Sequence, residues 1–94
     1  MQINKSKRFN DELETILDFI AMDNFKEALK FLDELEQKID NIKSMPYIYR
    51  KSKKANNKNI RDMTYKKYVI PYQIKECEII ILGIFNQNLW EIKN

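Results

Sequence analysis

Apolar residues recur at three- and four-residue spacing from Leu13 to Ile42 and at two-residue spacing from Asn59 to Phe85, so one chain carries two incompatible periodicities. A fold satisfying both must keep helices and strands apart and bury the helical stripe on a sheet face. The stripe has two parts. Leu13, Ile16, Leu17, Ile20 and Ala21 form the first, which ends near Met22; Phe25, Ala28, Leu29, Leu32, Leu35, Ile39 and Ile42 form the second, with Phe31 flanking. Asn10, followed by Asp11 and Glu12, has the signature of an N-cap with acids in the first helical turn. Asn24 and Glu27 have the spacing of a capping box, so the two helices form an antiparallel hairpin that Pro46 terminates.

Gln2 to Phe9 alternates loosely and reads as an edge strand. Beyond the hairpin, Asn59 to Tyr65, Tyr68 to Lys75 and Glu78 to Phe85 are rich in Tyr, Ile and Val and are separated by KK and EC, the pattern of a three-stranded antiparallel meander. In the middle strand Tyr68, Ile70, Tyr72 and Ile74 share a face, and Pro71, which has no N–H, requires a bulge or a non-bonding position. The last strand is apolar on both parities, which suits a central position with both faces covered, or one face awaiting a partner. The expected fold is α+β, in the order β-α-α-β-β-β, within a single domain of residues 1–94.

Charge is distributed unevenly. Between Arg50 and Lys67 eight basic residues (Arg50, Lys51, Lys53, Lys54, Lys58, Arg61, Lys66 and Lys67) face the single acid Asp62, whereas residues 10–42 set ten acids against Lys26, Lys30 and Lys38. The net charge of +3 conceals this separation, which favours polyanionic or acidic partners at the basic loop. A solvated turn is the plain alternative for those lysines. Histidine is absent, which removes imidazole bases, Ser-His-Asp and Cys-His relays and His-ligated zinc. Cys77 is alone and reads as a small filler beside a turn in a reduced compartment. With no signal-length apolar run and no segment of bilayer length, a cytoplasmic protein without membrane contact is expected, and no metal-ligand spacing or glycine-rich phosphate loop points to a cofactor.

The succession of strand, helical hairpin, basic loop and meander, with Ala28, Phe31, Leu35 and Ile39 leading to PYIYR at 46–50, IRDM at 60–63 and PYQIKECEIIILGIFNQNLWE from Pro71, resembles the RelE/ParE superfamily of bacterial toxins over Phe9 to Trp90. The resemblance implies the growth-arresting toxin of a type II toxin-antitoxin pair of the plasmid stabilisation type. A small antitoxin would wrap it, with Ile80, Leu82 and Ile84 as the expected antitoxin-binding residues, and whether the free toxin forms a homodimer through Ile79 to Phe85 is left open. It matches Arg50 and Arg61 to family arginines and places Lys51, Lys53 and Lys54 where ribonuclease members carry basic groups. Two modes of action follow. One is a ParE-like, non-catalytic inhibitor of DNA gyrase; the other is a ribosome-dependent mRNA endoribonuclease working by 2′-hydroxyl attack. A degenerate toxin or a simple basic nucleic-acid-binding module is a third reading.

For the enzyme reading, Lys51, Lys53 or Lys54 is the base, its pKa lowered by like charges, and Arg61 the phosphate clamp. Tyr65 or Tyr68 would be the acid. Arg50, Lys58, Arg61 and Trp90 are the expected target-binding residues, Trp90 by stacking. Tyr68 and Tyr72 read more readily as core aromatics with hydroxyls at the rim. Basic residues that ribonuclease members carry at or just after the last strand are replaced by Gly83, Asn86, Gln87 and Asn88, and Asn86 stands where many ParE-like members have histidine. These departures tilt the expectation toward the inhibitor.

Overall fold

The computed structural model describes residues 1–86 and has the order β1 (Gln2–Lys5), α1 (Lys7–Asp23), α2 (Phe25–Asn41), β2 (Arg50–Lys51), β3 (Ile60–Tyr65), β4 (Tyr68–Ile74), β5 (Glu78–Ile81) and β6 (Phe85–Asn86). The sheet runs β1-β5-β4-β3-β2, with β6 also paired to β4. Among the described residues β1 and β5 form the one parallel pair. The expected α+β layout is therefore present, with two short strands that the sequence had hidden: β2 inside the basic loop, and β6 cut from the last strand.

Alternation along the strands assigns the two faces. Arg61, Met63 and Tyr65 stand opposite Tyr72, Ile70 and Tyr68, and Tyr72 and Ile74 stand opposite Ile81 and Ile79, so these residues share the inner face. The helical hairpin covers that face with Phe9, Leu13, Phe31, Leu35 and Ile39, all buried with Met63, Ile70, Tyr72, Ile79 and Ile81 in one core. Asp62, Pro71, Ile60, Gln73, Ile80 and Val69 lie on the outer face. The shared face of Tyr68, Ile70, Tyr72 and Ile74 is thus the inner one, as the period of two requires.

Helix α1 starts at Lys7 rather than Asp11. Its cap is Ser6, whose Oγ accepts the Phe9 N–H at 3.0 Å, and Asn10 lies inside the first turns. The first strand accordingly stops at Lys5 instead of reaching Phe9. Asn24 alone joins the helices. Its N–H donates to the Ile20 carbonyl at 2.9 Å and its Oδ1 accepts the Glu27 N–H at 3.2 Å, closing one helix and opening the next. The second helical stripe proves wider than the sheet beneath it, for Phe25 and Leu29 are 66% and 53% exposed. Cys77 is exposed as well, at the bend between β4 and β5, and fills nothing.

The last strand is not continuous. Tyr72 pairs with Ile81 but Val69 pairs with Phe85, so three β4 steps meet four on the other strand, the signature of a bulge. Proline explains its place. The Leu82 N–H donates to the Pro71 carbonyl at 2.9 Å, and in an unbroken ladder residue 71 would return an N–H to the Leu82 carbonyl. Pro71 cannot. The Ser6 Oγ donates to that carbonyl instead at 3.0 Å, so the hydroxyl that caps α1 also supplies the donor missing from the ladder.

The bulge is held from a second side. Glu12 Oε1 accepts the Ile84 N–H at 3.0 Å while Arg8 Nε donates to Glu12 Oε2 at 3.2 Å. A Cβ at Gly83 would lie 2.7 Å from Glu12 Oε1, so the sole glycine is where the carboxylate needs room.

Candidate functional site

Strand alternation divides the basic segment between Arg50 and Lys67. In β2, Arg50 stands opposite Asp62 on the outer face and Lys51 opposite Arg61 on the inner. Beyond β2 the chain is fixed by local bonds, with the Lys53 N–H donating to Asp62 Oδ2 at 3.4 Å and the Ala55 N–H to Ser52 Oγ at 3.2 Å. Asn57 Oδ1 then accepts the Asn59 N–H at 2.8 Å, turning the chain into β3.

Arg61 does not project toward a phosphate site. Its Nε donates to the Lys58 carbonyl at 3.2 Å, its Nη1 donates to the Tyr49 carbonyl at 3.1 Å, and the guanidinium lies 4.8 Å from the Tyr47 ring centroid. The planar fork thereby ties the segment after α2 to the sheet edge. Tyr72 reinforces the same tie, since its hydroxyl donates to the Pro46 carbonyl at 2.6 Å and its ring meets Tyr49 edge-on at 6.4 Å. Burial pushes the Tyr72 phenol up to about 12, with Arg61 pulling the other way.

On the outer face lies an open cleft of about 440 Å³. Its floor is Ile60, Pro71, Leu82 and Phe85, and Arg8 and Glu12 form one wall. Lys54 forms part of the other, with its Nζ 4.2 Å from the Phe85 ring centroid. Asp62, only 7% exposed, lies at the bottom. The cleft thus presents an apolar floor, one buried carboxylate and basic side chains at its rim. It suits an amphipathic partner that seats apolar side chains.

The predicted site residues fall in several places. Arg50, Lys51, Lys53 and Lys58 are exposed, Lys54 lines the outer cleft, and Arg61 lies on the inner face. Among the described residues the basic side chains do not gather in a single recess around Arg61: Lys51 stands beside it on the inner face, whereas one strand step puts Arg50 on the outer face and Lys54 lines the outer cleft. Ile80 and Leu82 are half-buried, whereas Ile84 is 2% exposed and belongs to the core. Strand β5 has β1 on one side and β4 on the other, so a dimer through Ile79–Phe85 would have no free backbone edge of β5 to pair. Trp90 lies outside the described residues.

The tyrosines proposed as acids are also placed. The Tyr65 hydroxyl donates to Glu34, and burial first, then that bond, pushes its phenol up to about 12 while Glu34 is lowered by accepting it. Burial raises Tyr68 as well. Phenols held this way keep their protons at neutral pH and are weak general acids. Sequence reasoning missed Ser6, Arg8, Glu12, Asp62 and Phe85. The one signal that could have found them is Gly83, the single glycine of the chain, since a glycine permits a close approach.

A family model described as the ParE toxin of the type II toxin-antitoxin system parDE matches residues 3–88. Among solved structures, a chain of the chromosomal ParDE toxin-antitoxin system from P. aeruginosa superposes with a TM-score of 0.75 at 18% identity, covering 92% of this chain and 95% of that one. A conserved hypothetical protein from Helicobacter pylori superposes with a TM-score of 0.53 at 17% identity, covering 94% and 96% respectively. No curated protein gives a match. Among the described residues no helix is long and apolar enough to cross a membrane.

Proposed function

The chain belongs to the ParE toxin family of type II toxin-antitoxin systems, and from that premise we propose that it arrests growth by binding a macromolecular target, DNA gyrase in the cytoplasm, without cutting RNA. It is the toxin of such a pair, and a cognate antitoxin is its partner. The observation that carries the proposal is the engagement of Arg61, whose Nε and Nη1 donate to the Lys58 and Tyr49 carbonyls and whose guanidinium lies by the Tyr47 ring, across the sheet from Lys54. Cleavage by a 2′-hydroxyl needs a base, a phosphate clamp and an acid converging on one phosphate. Here two of the clamp's N–H groups already hold backbone carbonyls, Lys51 stands beside it but Lys54 lines the cleft on the opposite face, and the candidate acids Tyr65 and Tyr68 are buried with raised pKa values. A binding inhibitor needs no such convergence and spreads its energy over a surface.

The exposed cations Arg50, Lys51, Lys53 and Lys58 supply long-range attraction for a DNA-bearing target. Ile80 and Leu82 on the outer face are the accessible part of the expected antitoxin surface. A supercoiling assay with purified gyrase, run beside translating ribosomes programmed with a defined message, tests the proposal. Loss of supercoiling with intact message is expected; message cut in the ribosomal A site would overturn it and restore the endoribonuclease reading.

A further inference from the structure

The two-residue turn between β3 and β4 is Lys66-Lys67, and Lys66 takes the left-handed conformation with φ 53°, where glycine or asparagine is the low-strain choice. A strained lysine kept at an exposed turn directs attention to what its side chain does. Its Nζ lies 5.5 Å from the Tyr65 ring centroid and 5.9 Å from that of Phe31, and Lys67 Nζ lies 6.0 Å from that of Tyr68. Beside these ammonium groups an open groove of about 360 Å³ runs between α1 and the turn, floored by Phe19, Ile20, Phe31 and Tyr68. Phe19 is 70% exposed, although a large aromatic at an amphipathic helix face is ordinarily covered.

We propose that this groove seats a segment of the antitoxin that inserts an apolar side chain against Phe19 and sets a carboxylate on Lys66 and Lys67. The proposal rests on the toxin reading above and adds a contact separate from the outer cleft. Charge complementarity selects the occupant. Lys30 and Lys66 lie close enough to act on Glu34, and with Lys67 they set three cations against Glu34 and Glu27 around the groove, a balance of one positive charge. The helical hairpin alongside carries ten acids in residues 10–42, with Glu27 in the groove itself. A nucleic acid, with a phosphate at every nucleotide, would meet those acids as soon as it extended past the turn. A peptide with one acidic residue beside one apolar anchor avoids that repulsion.

The test uses full-length toxin variants titrated with the purified antitoxin encoded beside it, by calorimetry at low and high salt, with urea unfolding of each free variant. Phe19→Ala is expected to weaken binding at least about tenfold, as loss of a seated anchor does. Lys66→Asn is expected to weaken it about fivefold at low salt and less at high salt, yet to raise the urea midpoint of the free toxin by relieving the turn. Weaker binding by a more stable protein cannot come from misfolding. If wild type and both variants bind alike, the groove assignment falls while the family reading stands; if wild type does not bind the antitoxin at all, the family reading falls with it. Unchanged antitoxin affinity, together with either Lys66-dependent capture of an RNA or DNA oligonucleotide or a toxin dimer lost in Phe19→Ala, would overturn the proposal in favour of those occupants.

Discussion

Removing the Ser6 hydroxyl tests whether one atom serves both the helix and the sheet. Ser6→Ala deletes the acceptor for the Phe9 N–H and the donor to the Leu82 carbonyl. Loss of a helix N-cap costs about 1 kcal/mol. The stranded carbonyl adds about 1 kcal/mol, the low end of the range because Leu82 is half-buried and water can reach it. The sum, about 2 kcal/mol, corresponds to a fall in Tm of roughly 8–16 °C for a domain of this size.

The decisive measurement is a double-mutant cycle by urea denaturation. Pro71→Ala restores a backbone N–H opposite Leu82, so in that background the hydroxyl is no longer required by the ladder and Ser6→Ala should cost only the cap, about 1 kcal/mol. The expected coupling is therefore about 1 kcal/mol, well above the few tenths within which independent sites add. Ser6→Thr, which keeps donor and acceptor, should recover most of the stability. If Ser6→Ala costs the same whether or not Pro71→Ala is present, the assignment of Ser6 as the proline's substitute donor is refuted.

Gly83→Ala should destabilise the fold by about 1–2 kcal/mol in thermal melts, because its methyl displaces Glu12 Oε1 from the Ile84 N–H, and the added cost should vanish in a Glu12→Ala background. Arg61→Lys should lower stability by about 1–2 kcal/mol in urea, since one ammonium cannot bridge the Lys58 and Tyr49 carbonyls and stack on Tyr47; growth arrest by this variant should follow its soluble abundance, not drop to zero. Tyr65 and Tyr72 have folded pKa values raised from 10.0 to about 12, so their contribution is complete below pH 10 and lost as pH rises through 12. Glu34 is shifted the other way, so its contribution is present above its ordinary pKa and lost as pH falls through the lowered one. Tyr65→Phe should therefore flatten the urea midpoint against pH at both ends of the profile, and an unchanged profile would sink the Tyr65–Glu34 assignment.

Hydrophobic periodicity carried most of the fold, because the features that obey it are local. The stripe Leu35, Ile39 and Ile42, and the alternation of Tyr68, Ile70, Tyr72 and Ile74, need only a helix and a strand to put them on one side. What escaped detection depends on distant partners. Ser6 and Asn10 are both competent caps, and Ser6 prevails where α1 meets the Leu82 carbonyl, 76 residues away in sequence. The run from Ile79 to Phe85 is apolar on both parities, so period alone could not show the slip after Ile81. Phe25 and Leu29 obey the helical period yet lie exposed, since the period fixes a face and says nothing of how far the opposing sheet extends.

The candidate site is less legible for a related reason. Closeness in sequence is not closeness in space within a strand, where consecutive side chains oppose one another, so Arg50 and Lys51 are divided across the sheet, as are Arg61 and Asp62. The division gives each face a separate task. On the inner face Arg61 and Tyr72 anchor the chain leaving the hairpin, so their substitution is felt first as lost stability. On the outer face Lys54 and Phe85 border an open cleft whose far wall, Arg8 and Glu12, also fixes the bulge at Gly83. A partner seated there presses on the groups that hold Ile84 and hence on the β6 pairing. Antitoxin binding at this face would accordingly tighten the end of the sheet as well as cover it, and protection of the Ile84 and Phe85 amides from hydrogen exchange should rise in the complex by more than surface coverage of neighbouring amides explains.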